Sequence, residues 1–254
     1  MMSQNQLNLN TKRAKVIAIA SGKGGVGKTS LTLNMSVTLA KQGKKVLILD
    51  ADLGLGNVDV QLGVTPKKDL SHVIAGTARL QDAITPTPLG FDIIAGRSGS
   101  DTLPFLTNME RHNVVKELSS IAEKYDYIFL DIAAGVGDEI LVFARFADYT
   151  ALIATPDPSS ITDAYAVIKL LKLRHDITNC KIIVNQAGSE VDALRTYEKL
   201  KIATERFLQI DTPLIGYVTN DTNYMQAVRM QKLVVDAFAH LNIARLIENV
   251  ASKL

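Results

Sequence analysis

Residues 17–34 read IAIASGKGGVGKTSLTLN. A short apolar run ending at Ala20 is followed by a glycine-rich turn and then by a segment of helical pattern. The turn holds G-x-x-x-x-G-K-[ST], filled by Gly22 through Thr29, and a strand before it with a helix after it is the context that a phosphate-binding loop requires. Glycines let the backbone fold so that N–H groups converge on phosphate oxygens. A helix beginning near Lys28 turns its positive dipole end toward the same point. Lys28 is placed to reach the β- and γ-phosphates, and Thr29 to hold Mg2+. Ser30 is placed to donate to the α-phosphate, and Gly24, Gly25, Val26 and Gly27 complete the cradle. The pattern needs one lysine, yet a second, Lys23, stands directly after the first glycine.

Outward from this loop the chain alternates. Strand-length apolar runs end at Ala20, Asp50, Asp131, Thr155, Gln186 and Val218, with a further run near Ile93. They are continuous rather than alternating, as strands covered on both faces are. Helical patterns lie between them: Leu31 to Gln42, Arg111 to Lys124, Ile161 to Lys172, Val191 to Phe207, and Met225 to the C-terminus. This order predicts an α/β fold, a doubly wound and mostly parallel sheet flanked by helices. No linker or repeat divides it, so residues 14–254 are read as one domain behind a flexible, polar arm at residues 1–13. In such sheets ligands bind at the C-terminal edge of the strands. Asp131, closing YIFLD, is therefore read as a metal-site carboxylate. Asp50 and Asp52 share that edge, whereas Asp59 suits a solvated turn.

Composition narrows the classes. The chain has 254 residues, 47% of them hydrophobic, and a net charge of +2. No general basic field calls for nucleic acid. The single cysteine, Cys180, excludes an internal disulfide and an all-cysteine metal site within one chain. It also argues against relatives that bridge an iron–sulfur cluster with paired cysteines. The N-terminus lacks the apolar segment of a signal peptide, and the apolar runs are far shorter than a membrane span. A cytoplasmic protein, at most peripheral to the inner face of the membrane or polar, is expected.

The motifs resemble those of the MinD/ParA ATPases. SGKGGVGKTS is similar to their deviant phosphate loop, LILDADLGLGNVDVQLG to their first switch, and YDYIFLDIAAGVGDE to their second. TPDPSSITDAYAVIKLL and IIVNQ continue the likeness, which spans residues 14 to about 254. Within the family the chain looks nearest to the FlhG (FleN) branch, MinD-like regulators of flagellar number and placement. The resemblance implies ATP/ADP and Mg2+ as cofactors and an ATP-dependent homodimer whose slow hydrolysis releases it. It implies that Lys23 crosses the dimer interface to the other subunit's phosphates. Asp52 would then orient the attacking water, and Asp50 would lie near metal and water. Asp131 would hold Mg2+, and Gly135 would be the switch glycine near the γ-phosphate. Asn185 would read the adenine, with the loop around Val218 packing on the base.

Some features depart from the pattern. Ile132 and Ala133 stand where the family often has Ser, Thr or Pro after the switch acid. The arm lacks the activator motif for an FlhF-type GTPase, which leaves either such a GTPase or another flagellar regulator as the partner. The last segment carries an apolar stripe of Ile243, Leu246, Ile247 and Val250 with few basic residues, which reads as core packing rather than membrane anchorage. The alternative is a ParA-type partition ATPase that binds DNA through Lys169, Lys172, Arg174, Lys199, Lys201 and Arg229, although such scattered cations usually form a solvated face. A small-molecule kinase or synthetase on the same fold is a further alternative, which the second loop lysine disfavours.

Overall fold

The computed structural model describes residues 13–52, 56–96, 107–137 and 139–254. The arm expected at residues 1–13 lies, save for Arg13, outside them, as do residues 53–55 of the first switch-like segment. In chain order the elements are β1 (Lys15–Ala20), α1 (Lys28–Lys41), β2 (Val46–Asp50), α2 (Val58–Leu62), α3 (Leu70–Ile74), β3 (Thr85–Pro86) and β4 (Asp92–Ile94). Next come α4 (Asn108–Ile121), β5 (Tyr127–Asp131), α5 (Glu139–Phe146), β6 (Tyr149–Ala154), α6 (Pro158–His175), β7 (Cys180–Ala187), α7 (Glu190–Leu208) and β8 (Leu214–Thr219). The chain closes with α8 (Thr222–Arg229), α9 (Val234–Ala237) and α10 (Asn242–Ala251).

The sheet runs β3-β4-β2-β5-β1-β6-β7-β8, and every pair is parallel except β3 with β4. The apolar runs are continuous because both faces are covered. Alternate side chains of a strand point to opposite faces. Val16, Ala18 and Ala20 accordingly join one core with Val114 and Leu118 of α4 and Val167 of α6. Ile17 and Ile19 join the other, with Leu33 and Val37 of α1 and Ile247 of α10. The anticipated doubly wound sheet is therefore present, with a short antiparallel edge that the sequence pattern did not reveal.

The segment after Met225 corrects an expectation. It is three short helices, not one. Gln231 takes a left-handed backbone, φ 51°, just after α8 closes, and Phe238 leaves helical geometry at the end of α9. The apolar stripe of α10 does pack inward: Ile243, Ile247 and Val250 are buried and Leu246 is half-buried. Burying three aliphatic side chains is worth about 5–9 kcal/mol, comparable to the net stability of a whole domain, so α10 is held in the core. Among the described residues no helix is long and apolar enough to cross a membrane.

Candidate functional site

The loop between β1 and α1 lies at the C-terminal edge of the central strands. Two glycines there are sterically required. A Cβ on Gly22 would stand 2.4 Å from the backbone of Asp163 on α6. Gly27 has φ 84°, and a Cβ on it would meet the Asn185 amide nitrogen at 2.5 Å. Gly27 caps the start of α1, so the free N–H groups of that helix open at the loop. Gly24 and Gly25 face open space. Val26 is buried and anchors the loop to the core beside α1.

Register brings the acids together. Asp50 and Asp131 are direct cross-strand neighbours at the tips of β2 and β5, and Ile19 of β1 flanks Asp131. Lys28 is buried, and its Nζ donates to Asp131 Oδ1 at 3.2 Å. Burial pushes the Asp131 carboxyl up, and the Lys28 ammonium opposes that, with the Thr29 hydroxyl acting in the same sense as Lys28. Asp131 Oδ2 is buried without a hydrogen bond. Asp50 accepts from Asp52 N at 3.1 Å and Val58 N at 3.2 Å. Burial, and then the nearby Asp131, push Asp50 up to about 7. Asp52 is half-buried, and its charge acts on both other acids. Gly135 N donates to Ser21 O at 2.9 Å, which ties the segment after β5 to the start of the loop.

These residues fit Mg2+. The orphaned Asp131 oxygen and the repulsion between Asp50 and Asp131 are both relieved by a hard cation with oxygen ligands. Among the described residues, no group of three or more His, Cys, Asp or Glu is placed to hold a metal unaided. Mg2+ is commonly bound by one or two carboxylates completed by substrate phosphates, which suits Thr29, Asp50 and Asp131 beside a phosphate loop.

Asp50 has a consequence for stability. Its ordinary value is 3.8. Between about pH 4 and 7 the folded chain therefore keeps a proton that the unfolded chain has lost, and stability falls as pH rises through that window. The full destabilisation is on the order of 4 kcal/mol. Asp131 is shifted in the same direction. Asp69, Glu110 and Asp157 are held below their ordinary range and lose their contributions only at lower pH. Thermal melts of nucleotide-free protein are expected to drop from about pH 5.5 to about pH 8, and Asp50→Asn to flatten that drop. An equally steep drop in Asp50→Asn would refute the assignment to Asp50.

Beside the loop is a cavity of about 460 Å³, lined by Gly25, Gly27, Ser30, Asn185, Gln186, the 219–221 turn and Tyr224, Met225 and Val228 of α8. Asn185 Nδ2 donates to Val26 O at 2.8 Å, and Gln186 Nε2 to Gly25 O at 3.1 Å. The Tyr224 hydroxyl, beside Ser30 and Asn34, is pushed up to about 12 by burial. Val218 does not line this cavity. It is 1% exposed and packs in the core, because β8 alternates faces and the wall is made by the turn that follows. The residues of α8 were not legible, since one continuous helix was expected there. The helix-capping Asp221 of the VTND stretch was the available signal.

Lys23 is half-exposed and does not point at the phosphate cradle. Its Nζ pairs with Asp157 Oδ2 and donates to Ser159 Oγ at 2.7 Å, at the start of α6. Asp157 itself caps α6 through Ser159 N, and Lys23 holds its carboxyl below the usual range. The pair is solvent-exposed and screened, so it is weak and readily exchanged for another anion.

A phosphate loop with two lysines, acids at the adjacent strand tips and an eight-stranded, mostly parallel sheet define a P-loop nucleotide-binding protein. The chain belongs to the MinD/ParA ATPase family. A family model described as an AAA domain matches residues 14–184. The antiactivator FleN of Pseudomonas aeruginosa is 38% identical over 240 residues, covering 94% of this chain and 86% of FleN. The flagellum site-determining protein YlxH of Helicobacter pylori is 35% identical, covering 89% of this chain and 76% of YlxH. Among solved structures, MinD of Pyrococcus horikoshii complexed with Mg-ADP superposes with TM-score 0.75 at 26% identity, covering 94% of this chain and 95% of that one. The MinC:MinD complex of Aquifex aeolicus gives TM-score 0.77 at 29% identity, with the same coverage.

Proposed function

We propose that this chain is an ATP-switched regulator of flagellar number and placement. It binds ATP with Mg2+, dimerises in that state and hydrolyses ATP slowly to reset. The observation that carries the flagellar reading is the 38% identity to the antiactivator FleN over almost the whole chain. The loop N–H groups and Lys28 take the β- and γ-phosphates, Thr29 and Ser30 support them, and Asn185 with the 219–221 turn holds the base. Mg2+, when bound beside Thr29, Asp50 and Asp131, would neutralise phosphate charge. Asp52 orients the attacking water. Lys23 exchanges Asp157 and Ser159 for the phosphates of a second subunit. Gly135, tied to Ser21 O, carries the γ-phosphate state into the segment leading to α5. A flagellar regulator or an FlhF-type GTPase would read that state in the cytoplasm, at or near the membrane.

The partition reading is weaker. Of the six cations considered for DNA, Lys172 pairs with Asp176, which closes the end of α6, and Lys201 pairs with Glu205 one turn further along α7. The test is to remove the gene from its flagellated host and count flagella per cell and their positions. A changed number or position, restored by wild type but not by Lys28→Ala, is expected. Unchanged flagella with loss of plasmid or chromosome would favour partition.

Asp52→Ala is expected to bind ATP near normally and hydrolyse it at least about a hundredfold more slowly, because a water-positioning group is removed and phosphate contacts are kept. Single-turnover measurements check this. Wild-type hydrolysis in the variant would transfer the role elsewhere.

A further inference from the structure

Ser30 and Asn34 stand one turn apart on α1, so their side chains share a face of that helix. Tyr224 and Ala227 share a face of α8 in the same way, and Ala227 is buried, so that face is the inward one. Ser30 and Tyr224 both wall the nucleotide cavity. Asn34 is held by backbone at both ends of its amide: Nδ2 donates to Ser30 O at 2.8 Å, and Oδ1 accepts from Val235 N at 3.2 Å. The Tyr224 hydroxyl has the side chains of Ser30 and Asn34 as polar neighbours, yet it is buried without a hydrogen bond. A buried polar group left unpaired destabilises a fold, and phenylalanine would fill the same space without that cost. The hydroxyl therefore calls for a reason beyond packing.

We infer that Tyr224 is a positioning residue for the nucleotide: it donates to Ser30 Oγ while that hydroxyl gives its own proton to the α-phosphate. The inference rests on the ATP-binding reading above and deepens it. Proton bookkeeping favours this chain of bonds. A serine hydroxyl has one proton to give and two lone pairs with which to accept. Once a phosphate oxygen takes the Ser30 proton, the serine lone pairs are left for the Tyr224 proton, and the two bonds polarise each other. Asn34 is the poorer acceptor, because its Oδ1 already takes Val235 N and its amide is tied to Ser30 O. The same chain links phosphate binding to α8. Met225 and Val228 of that helix wall the cavity, so a phosphate that engages Tyr224 through Ser30 also holds the wall in place.

Titration calorimetry of the full chain with ATP and with ADP, each with Mg2+, tests this. Tyr224→Phe is expected to weaken both nucleotides by the same factor, about three- to tenfold, the scale of one hydrogen bond, because the α-phosphate is common to both. The Tm without nucleotide should instead stay level or rise, since an unpaired hydroxyl leaves the interior. A tyrosine that merely packs would lower the Tm, moving both readouts in one direction. Ser30→Ala supplies the second arm. In that background Tyr224→Phe should cost no further affinity, as the intermediary is gone. Full additivity of the two changes overturns the inference, and so does a loss for ATP alone, a lowered Tm, or a Tyr224→Phe protein that binds both nucleotides as wild type does. That last result leaves the ATP-binding reading standing and removes this inference only. A wild type that takes up neither nucleotide removes both.

Discussion

Lys28→Ala is expected to lower ATP affinity at least about a hundredfold and to eliminate hydrolysis, because the phosphates lose their main side-chain cation. The same change touches the fold. Lys28 is the hydrogen-bonded cation of the buried Asp131, and removing one member of a buried pair typically costs about 3–5 kcal/mol. Asp131 can escape part of that cost by taking up a proton, since burial already pushes its carboxyl upward. Stability and function are therefore measured separately. Adding Asp131→Asn to Lys28→Ala removes the orphaned charge and should recover much of the lost thermal stability. It should recover none of the ATP binding, which titration calorimetry reads directly. A Lys28→Ala protein that binds and hydrolyses ATP like wild type would remove the phosphate-loop assignment.

The parts of the site that were legible in sequence are those fixed by local chemistry. Gly22 through Thr29 carry their own spacing, and an acid closing an apolar run is placed at the strand tip by the strand itself, as Asp50 and Asp131 are. Their direct opposition across β2 and β5 depends on register, which no local pattern encodes. The partners of Lys23 were illegible for a similar reason. Asp157 lies 134 residues away and reaches the loop only because β6 sits next to β1 in the sheet. Its own signature, an acid before Pro158 and a helical run, reads as a helix cap and nothing more. Short elements such as α2, α3 and β3 are too brief for periodicity to register. The three-helix ending was hidden because its apolar residues keep a helical spacing through breaks made by single backbone conformations, at Gln231 above all.

Lys23→Ala separates the second lysine from the first. The variant keeps Lys28, Thr29 and the backbone donors of the loop, so each chain should retain much of its affinity for ATP. ATP-dependent dimerisation should be lost, since the charge that would cross to the other subunit's phosphates is gone. Hydrolysis should fall with it by about a thousandfold or more, the scale of a trans-acting cation on a transferring phosphoryl group. The structure adds a control with the opposite sign. In the nucleotide-free chain Lys23 is engaged by Asp157 and Ser159, and Asp157→Ala frees it while leaving the cradle intact. Because that ion pair is exposed and weak, release should lower the analogue concentration needed for dimerisation only modestly. Sedimentation with ADP and with a non-hydrolysable ATP analogue reads both variants. Wild type should shift from monomer to dimer with the analogue alone, Lys23→Ala should remain monomeric in both, and Asp157→Ala should shift at lower analogue concentration. If Lys23→Ala dimerises as wild type does, the ion pair with Asp157 is all that this lysine does, and the trans contact must be made by another group.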